Sequence, residues 1–235
     1  MSYNYSQYVT ELAVITAIDP SDASFQSNLP SVIDYAEQRC YRELQLLSTV
    51  TRDTATLTAD SRTFVLPSNN GRFVTTQGIN VYGPNGTGTV RVQLTPASRD
   101  YVDAAWPSET STSTTSVPSY YAMLTDQTVI VAPAPGSSWV AEVVGTIRPT
   151  PLSVSNTTTY LTTYLPDLFI AASMVQMSGY MRNFGSQADD PKMAQSWENQ
   201  YQMLLKSADI EENMKRYASG AWSSQPPTPL ASPTR

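Results

Sequence analysis

Residues 164–184 read YLPDLFIAASMVQMSGYMRNF and residues 190–217 read DPKMAQSWENQYQMLLKSADIEENMKRY. Together they predict a helical hairpin from Tyr164 to Tyr217, around which the rest of the chain is organised. Pro166 and Asp167 suit the first turn of the first arm. Ile170, Met174, Met177, Met181 and Phe184 then recur at alternating steps of four and three, which is one helical seam. Ala171, Val175 and Gly179 form a second face of small residues, where another backbone is expected to come close. A helix apolar on more than one side is a buried one. Ser173, Gln176 and Ser178 interrupt it too often for a membrane span, which needs roughly 20 apolar residues. Gly185 is the expected C-cap, and Asp190-Pro191 restarts a helix. The second arm carries Met193, Trp197, Tyr201, Leu204 and Ala208 on one stripe. After Ala208 the stripe jumps, and Ile210, Met214 and Tyr217 lie on a different face. One helix serving two faces implies two partners, either its own core alone by bending or its core and another subunit.

Outward from the hairpin, the N-terminal part predicts two helices. Residues 7–18 place Tyr8, Leu12 and Ile15 on one side and stop at Asp19-Pro20-Ser21-Asp22. Leu29 to Leu47 is the stronger helix, with Ser27 or Asn28 as cap, Pro30 in the first turn, and a stripe of Leu29, Ile33, Ala36, Cys40, Leu44 and Leu47. Cys40 on that stripe reads as core. On the outer face Arg39 and Glu43 stand four residues apart and can bridge one turn, either as a solvated pair or towards a neighbouring subunit.

From Thr51 the pattern changes to the alternation of strands. Expected strands are 54–58, 63–66, 79–82, 89–94, 120–124, 129–132 and 139–147, with Asn69-Asn70-Gly71 as a turn. Gly83-Pro84-Asn85-Gly86 and Thr125-Asp126-Gln127 are hairpin connections. Residues 108–116 form a Ser/Thr-rich loop, and Pro133-Ala-Pro-Gly136 breaks the chain before the last strand. The fold class expected is α+β: a helical bundle from both ends of the chain with an inserted antiparallel β module. The boundaries are 1–50 for the N-terminal helices, 51–150 for the β module, 151–217 for the hairpin and 218–235 for the tail. That tail holds Pro226, Pro227, Pro229 and Pro233 and by itself is expected to be extended or disordered rather than helical.

Composition narrows the chemistry. The 235 residues hold 14% charged residues and a net charge of −6, against the usual ~25% charged. The three lysines and eleven arginines are scattered, which disfavours a nucleic-acid reader, since backbone binding needs clustered cations. Histidine is absent, and with it the commonest general base and metal ligand. Cys40 is the single cysteine, so no disulfide framework or thiolate zinc site is available. Asp189-Asp190 and Glu211-Glu212 are adjacent pairs that point two ways, and Gly86-Thr87-Gly88 lacks the helix a phosphate loop requires. No catalytic residue, cofactor site or metal site is expected. The opening MSYNYSQYVTEL has no basic region followed by an apolar core, so no secretory signal is expected and folding should occur in a reducing cytoplasm.

Several segments taken in order carry a family resemblance. They are Ala36-Glu37-Gln38-Arg39, Pro118-Ser-Tyr-Tyr121 with Pro133-Ala-Pro135, the strand ending before Pro149, Leu165-Pro166-Asp167 and the Trp197/Tyr201 helix. In this the chain resembles the head-to-tail adaptor (connector) proteins of short-tailed bacteriophages. The likeness covers both ends and the later strands; residues 51–115 and the tail do not carry it. Cys40 departs from it mildly, standing where an aliphatic residue is commoner.

The resemblance implies a virion structural protein at the head–tail junction, assembled in the host cytoplasm. It implies a ring, typically of twelve copies, beneath the capsid portal, with the portal protein, tail nozzle or tail fibre proteins and itself as partners. Genomic DNA would pass through the channel without specific binding, and no membrane is involved. Interface candidates for neighbouring subunits or the portal are Arg39, Glu43, Ile210, Met214 and Tyr217. Trp222, Pro226, Pro227 and Leu230 join them in an extended arm packed on the portal or an adjacent copy. Two other classes remain open at this point. One is a different phage structural protein, such as a tail tube or minor capsid protein. The other is a glycan-binding β module using Tyr120, Tyr121 or Trp139.

Overall fold

A computed structural model describes residues 2–83, 91–110, 116–181 and 191–219. In chain order the helices are α1 (Tyr5–Thr16), α2 (Ala23–Glu43), α3 (Arg99–Ala105), α4 (Tyr160–Tyr164), α5 (Pro166–Met181) and α6 (Pro191–Ser219). The strands are β1 (Val50–Leu57), β2 (Thr63–Val65), β3 (Arg72–Tyr82), β4 (Arg91–Gln93), β5 (Thr95–Pro96), β6 (Tyr120–Met123), β7 (Thr128–Ala132) and β8 (Trp139–Arg148). The fold is α+β, and it divides into two compact units: Met1–Leu47 with Leu161–Arg235, and Ser48–Tyr160.

The helical unit is built around α5. Asn4 starts α1 with a capping box: its side chain accepts from Gln7 N at 2.9 Å, and the Gln7 side chain accepts from Asn4 N at 3.0 Å. This places the start two residues before the expected one. Tyr8 and Leu12 are fully buried. The Tyr8 ring stacks on Phe169 of α5 at 4.6 Å between centroids. Its hydroxyl donates to Ser173 Oγ, which in turn donates to the Phe169 carbonyl at 2.7 Å. A polar group thus crosses the core with both hydroxyls satisfied.

Helix α2 corrects the expected start at Leu29. Asp22, not Ser27 or Asn28, is the cap, accepting from Phe25 N at 2.8 Å, and Pro30 lies inside the helix. Proline near a Ser/Asn pair mimics a helix start, but Phe25 is 0% exposed and extends the stripe one turn back from Leu29. The end also differs: Leu44 is an extended C-cap, Leu46 is buried, and Leu47, expected on the stripe, is 41% exposed.

Helix α5 is apolar on nearly every side. Leu168, Phe169, Ala171, Ala172, Met174 and Met177 are buried, because α1, α2 and α6 all pack on it. Gly179 departs from the expected close backbone approach: it is exposed, with nothing within 4 Å of where its Cβ would stand. Phe184 and Gly185 lie outside the described residues.

The second unit packs two four-stranded sheets, in the orders β1-β8-β3-β4 and β2-β7-β6-β5. All ladders are antiparallel except β5 with β6. One core joins Leu57, Ile79, Val81, Ala141 and Val143 of the first sheet to Phe64, Tyr121, Val129 and Val131 of the second. Strand alternation sends Ala122, Ile130 and Ala132 to the opposite face, where Val102 of α3 covers them. That double coverage explains why β7 is continuously apolar.

Two features of this unit escaped the sequence reading. Strand β3 begins at Arg72, seven residues earlier than expected, because register shifts at Phe73/Thr75 and Thr76/Gly78 break the period of two. Helix α3, capped by Ser98 accepting from Tyr101 N at 3.3 Å, has 7 residues, too few to show a helical period. The β6–β7 hairpin stands as expected; β3 and β4 also pair antiparallel, closing at Tyr82↔Arg91, and the connection expected between them falls largely at residues 84–90, outside the described ones. Gly71 turns the chain with φ 136°, and a Cβ there would meet the Arg148 carbonyl oxygen at 2.3 Å.

Candidate assembly surface

Helix α6 has two faces of different character. Towards the unit's interior, Tyr201 and Ala208 are buried. Glu212 is 3% exposed; its carboxylate accepts from Leu47 N at 2.9 Å and from Lys215 Nζ at 2.8 Å. Arg216 donates to Gln45 Oε1 at 2.7 Å and to the Gln45 carbonyl. These contacts hold the C-terminal half of α6 on the segment that follows α2.

On the outer face Met203, Ile210, Met214 and Tyr217 are 69%, 57%, 65% and 82% exposed. Their spacing of seven, four and three residues sets them along one line of the helix, about 21 Å from end to end at 1.5 Å per residue. The face change expected after Ala208 is therefore present, and Met203 begins the second face before it.

Arg39 sits elsewhere. Its guanidinium donates to both Glu198 oxygens, at 2.7 and 2.6 Å, and Nε donates to Glu43 Oε1 at 3.1 Å. The same group lies 4.1 Å above the Tyr201 ring. The pair with Glu43 is the intrahelical bridge read from the sequence; Glu198 is a partner that no local pattern could announce. The hydrogen bond to Glu198 raises the Arg39 pKa despite partial burial, and Arg39 holds the Glu198 carboxyl below the usual range. Arg39, with a side chain 13% exposed, thus ties α2 to α6 within one chain. Cys40 beside it is buried, and burial pushes its thiol up to about 12. Trp222, Pro226, Pro227 and Leu230 lie outside the described residues.

Beside α6, a groove of about 800 Å³ is lined by Tyr3 and Ile15 from the N-terminal segment, Asp167 and Ile170 of α5, and Trp197 and Gln200 of α6, among others. In the β unit the polar feature is Glu142 on β8, 4% exposed. It accepts from Asn80 Nδ2 at 3.0 Å, from the Tyr82 hydroxyl and from Arg91 at 2.8 Å, with Arg52 Nε at 3.5 Å. Burial alone would raise this carboxyl, but the hydrogen bonds from Tyr82 and Asn80 and the charges of Arg91 and Arg52 outweigh it and hold it low. The cluster links all four strands of its sheet and is internally satisfied.

The aromatic residues considered for glycan binding do not form one platform. Tyr121 is in the core and Trp139 packs against it, with Gly83 leaving room for the indole, while Tyr120 packs at 5.3 Å from Trp106. Among the described residues, no group of three or more acidic or thiol side chains could hold a metal, and no helix is long and apolar enough to cross a membrane.

The family described as SU10 adaptor protein matches residues 3–225, so the chain belongs to this family of phage adaptors, which are structural proteins of the virion. A comparison with curated proteins finds no match.

Proposed function

We propose that the chain forms a ring beneath the capsid portal, joins the portal to the tail and lines the channel through which DNA passes. The exposed line of Met203, Ile210, Met214 and Tyr217 carries this reading. A contiguous exposed apolar line is of the kind that marks an interaction site, and a subunit contact would bury it. Methionine, flexible and polarisable, suits interfaces that form on a template. The low charge content and net charge of −6 also support it, because a negative wall lets DNA slide without displacing counterions. The ring forms chiefly on its portal partner. Mass photometry of the purified chain with and without portal rings tests this. A ring-sized species only with portal is expected; a stable free dimer or tetramer indifferent to portal would overturn it.

A further inference from the structure

Two apolar features of the helical unit, one convex and one concave, are left open by the described residues. The convex one is the α6 line of Met203, Ile210, Met214 and Tyr217. The concave one is the 800 Å³ groove, where Tyr3, Ile15, Ile170 and Trp197 supply the apolar lining. Both belong to the same compact unit, so every copy presents both. When the line of one copy enters the groove of the next without the reverse contact forming, the contact is head-to-tail and passes from copy to copy, closing into a ring when the rotation permits. A self-paired line would stop at a dimer.

We infer that the α6 line of one copy seats in the groove of the next copy, making the subunit contact of the ring; this rests on the ring reading above. Charge fits the same docking. Lys206 is exposed beside the line, and Asp167 lines the groove and opens α5, where a carboxylate also complements the helix N-terminus. Lys206 of one copy faces Asp167 of the next. The adaptable methionines fill the groove while this pair sets the register.

The test uses phage particles carrying the full-length chain with Met214→Cys and Gln200→Cys, two exposed positions on the line and at the groove. A short bis-maleimide is applied; Cys40 is buried and does not react. A ladder of adaptor-only species extending beyond the dimer is expected, with Met214→Cys alone giving none. Lys206→Glu should lower the cross-linked fraction at least tenfold, and Asp167→Lys in the same chain should restore it. Dimers only, cross-links within one chain, or a Met214→Cys product with a different virion protein would each overturn the inference. If electron microscopy shows a ring in particles that give no ladder, this contact is wrong while the ring reading stands. If the particles hold no ring, both fall.

Discussion

Glu198→Ala tests how α6 is held on α2. The carboxylate accepts two charge-assisted hydrogen bonds from Arg39, at 2.7 and 2.6 Å. Bonds to a charged group contribute about 1.5–3 kcal/mol. Glu198 has a side chain 36% exposed, so solvent screening trims its share, whereas Arg39 at 13% would be left poorly hydrated. Glu43, at 3.1 Å, remains and keeps the cation from standing alone. The loss therefore stays below the roughly 3–5 kcal/mol of a fully buried broken pair. About 2 kcal/mol is expected. Arg39→Met removes the buried cation itself, keeps most of the apolar stem over Tyr201, and leaves Glu198 with water and Gln202 Nε2 at 2.9 Å. It should cost less, about 1 kcal/mol, with a coupling of about 1–2 kcal/mol in the double-mutant cycle. Urea unfolding followed by far-ultraviolet circular dichroism reads the helical unit. If Glu198→Ala falls within about 0.5 kcal/mol of the parent, or Arg39→Met proves the costlier change, the bridge does not hold the two helices as argued.

Gly145→Ala should destabilise the β unit by on the order of 2–3 kcal/mol, because the new Cβ would stand 2.2 Å from the Thr75 carbonyl oxygen on the central strand pair; an unchanged denaturation midpoint would refute it. The depressed Glu142 pKa makes the β unit acid-sensitive: its contribution is fully present above about pH 4.3 and is lost as pH falls through the lower folded value. Glu142→Gln should flatten that acid limb in pH-dependent unfolding. The Cys40 thiol, buried and raised to about 12, should resist maleimide at neutral pH in the folded chain and react once urea unfolds it. Fluorescence anisotropy should detect no affinity for duplex DNA at physiological salt; salt-sensitive submicromolar binding would contradict the proposed channel.

What the sequence by itself determined is what local physics controls. Helix α5 was legible because its apolar residues recur around every side, which only a buried helix tolerates. Pro191 marked the start of α6, and the step from Ala208 to Ile210 marked its change of face. The β6–β7 hairpin was legible because its adjacent strands and their turn residues sit in one short window. Composition removed histidine and thiolate chemistry, and ordered motifs pointed to the adaptor family.

Tertiary structure decided what joins distant residues. Arg39 meets Glu198 across 159 positions, and Tyr8 meets Ser173 across 165. Strand β8 pairs with both β1 and β3, separations that no periodicity encodes. The bulges hid the first half of β3, and Pro30 resembled a helix start because a proline's local preference is the same whether or not Phe25 is buried a turn earlier. Most of all, the apolar spacing of α6 could not say which of its faces its own core would cover. Burial is a property of neighbours, and Tyr201 meets Arg39 and Glu212 meets Leu47, both from the other end of the chain.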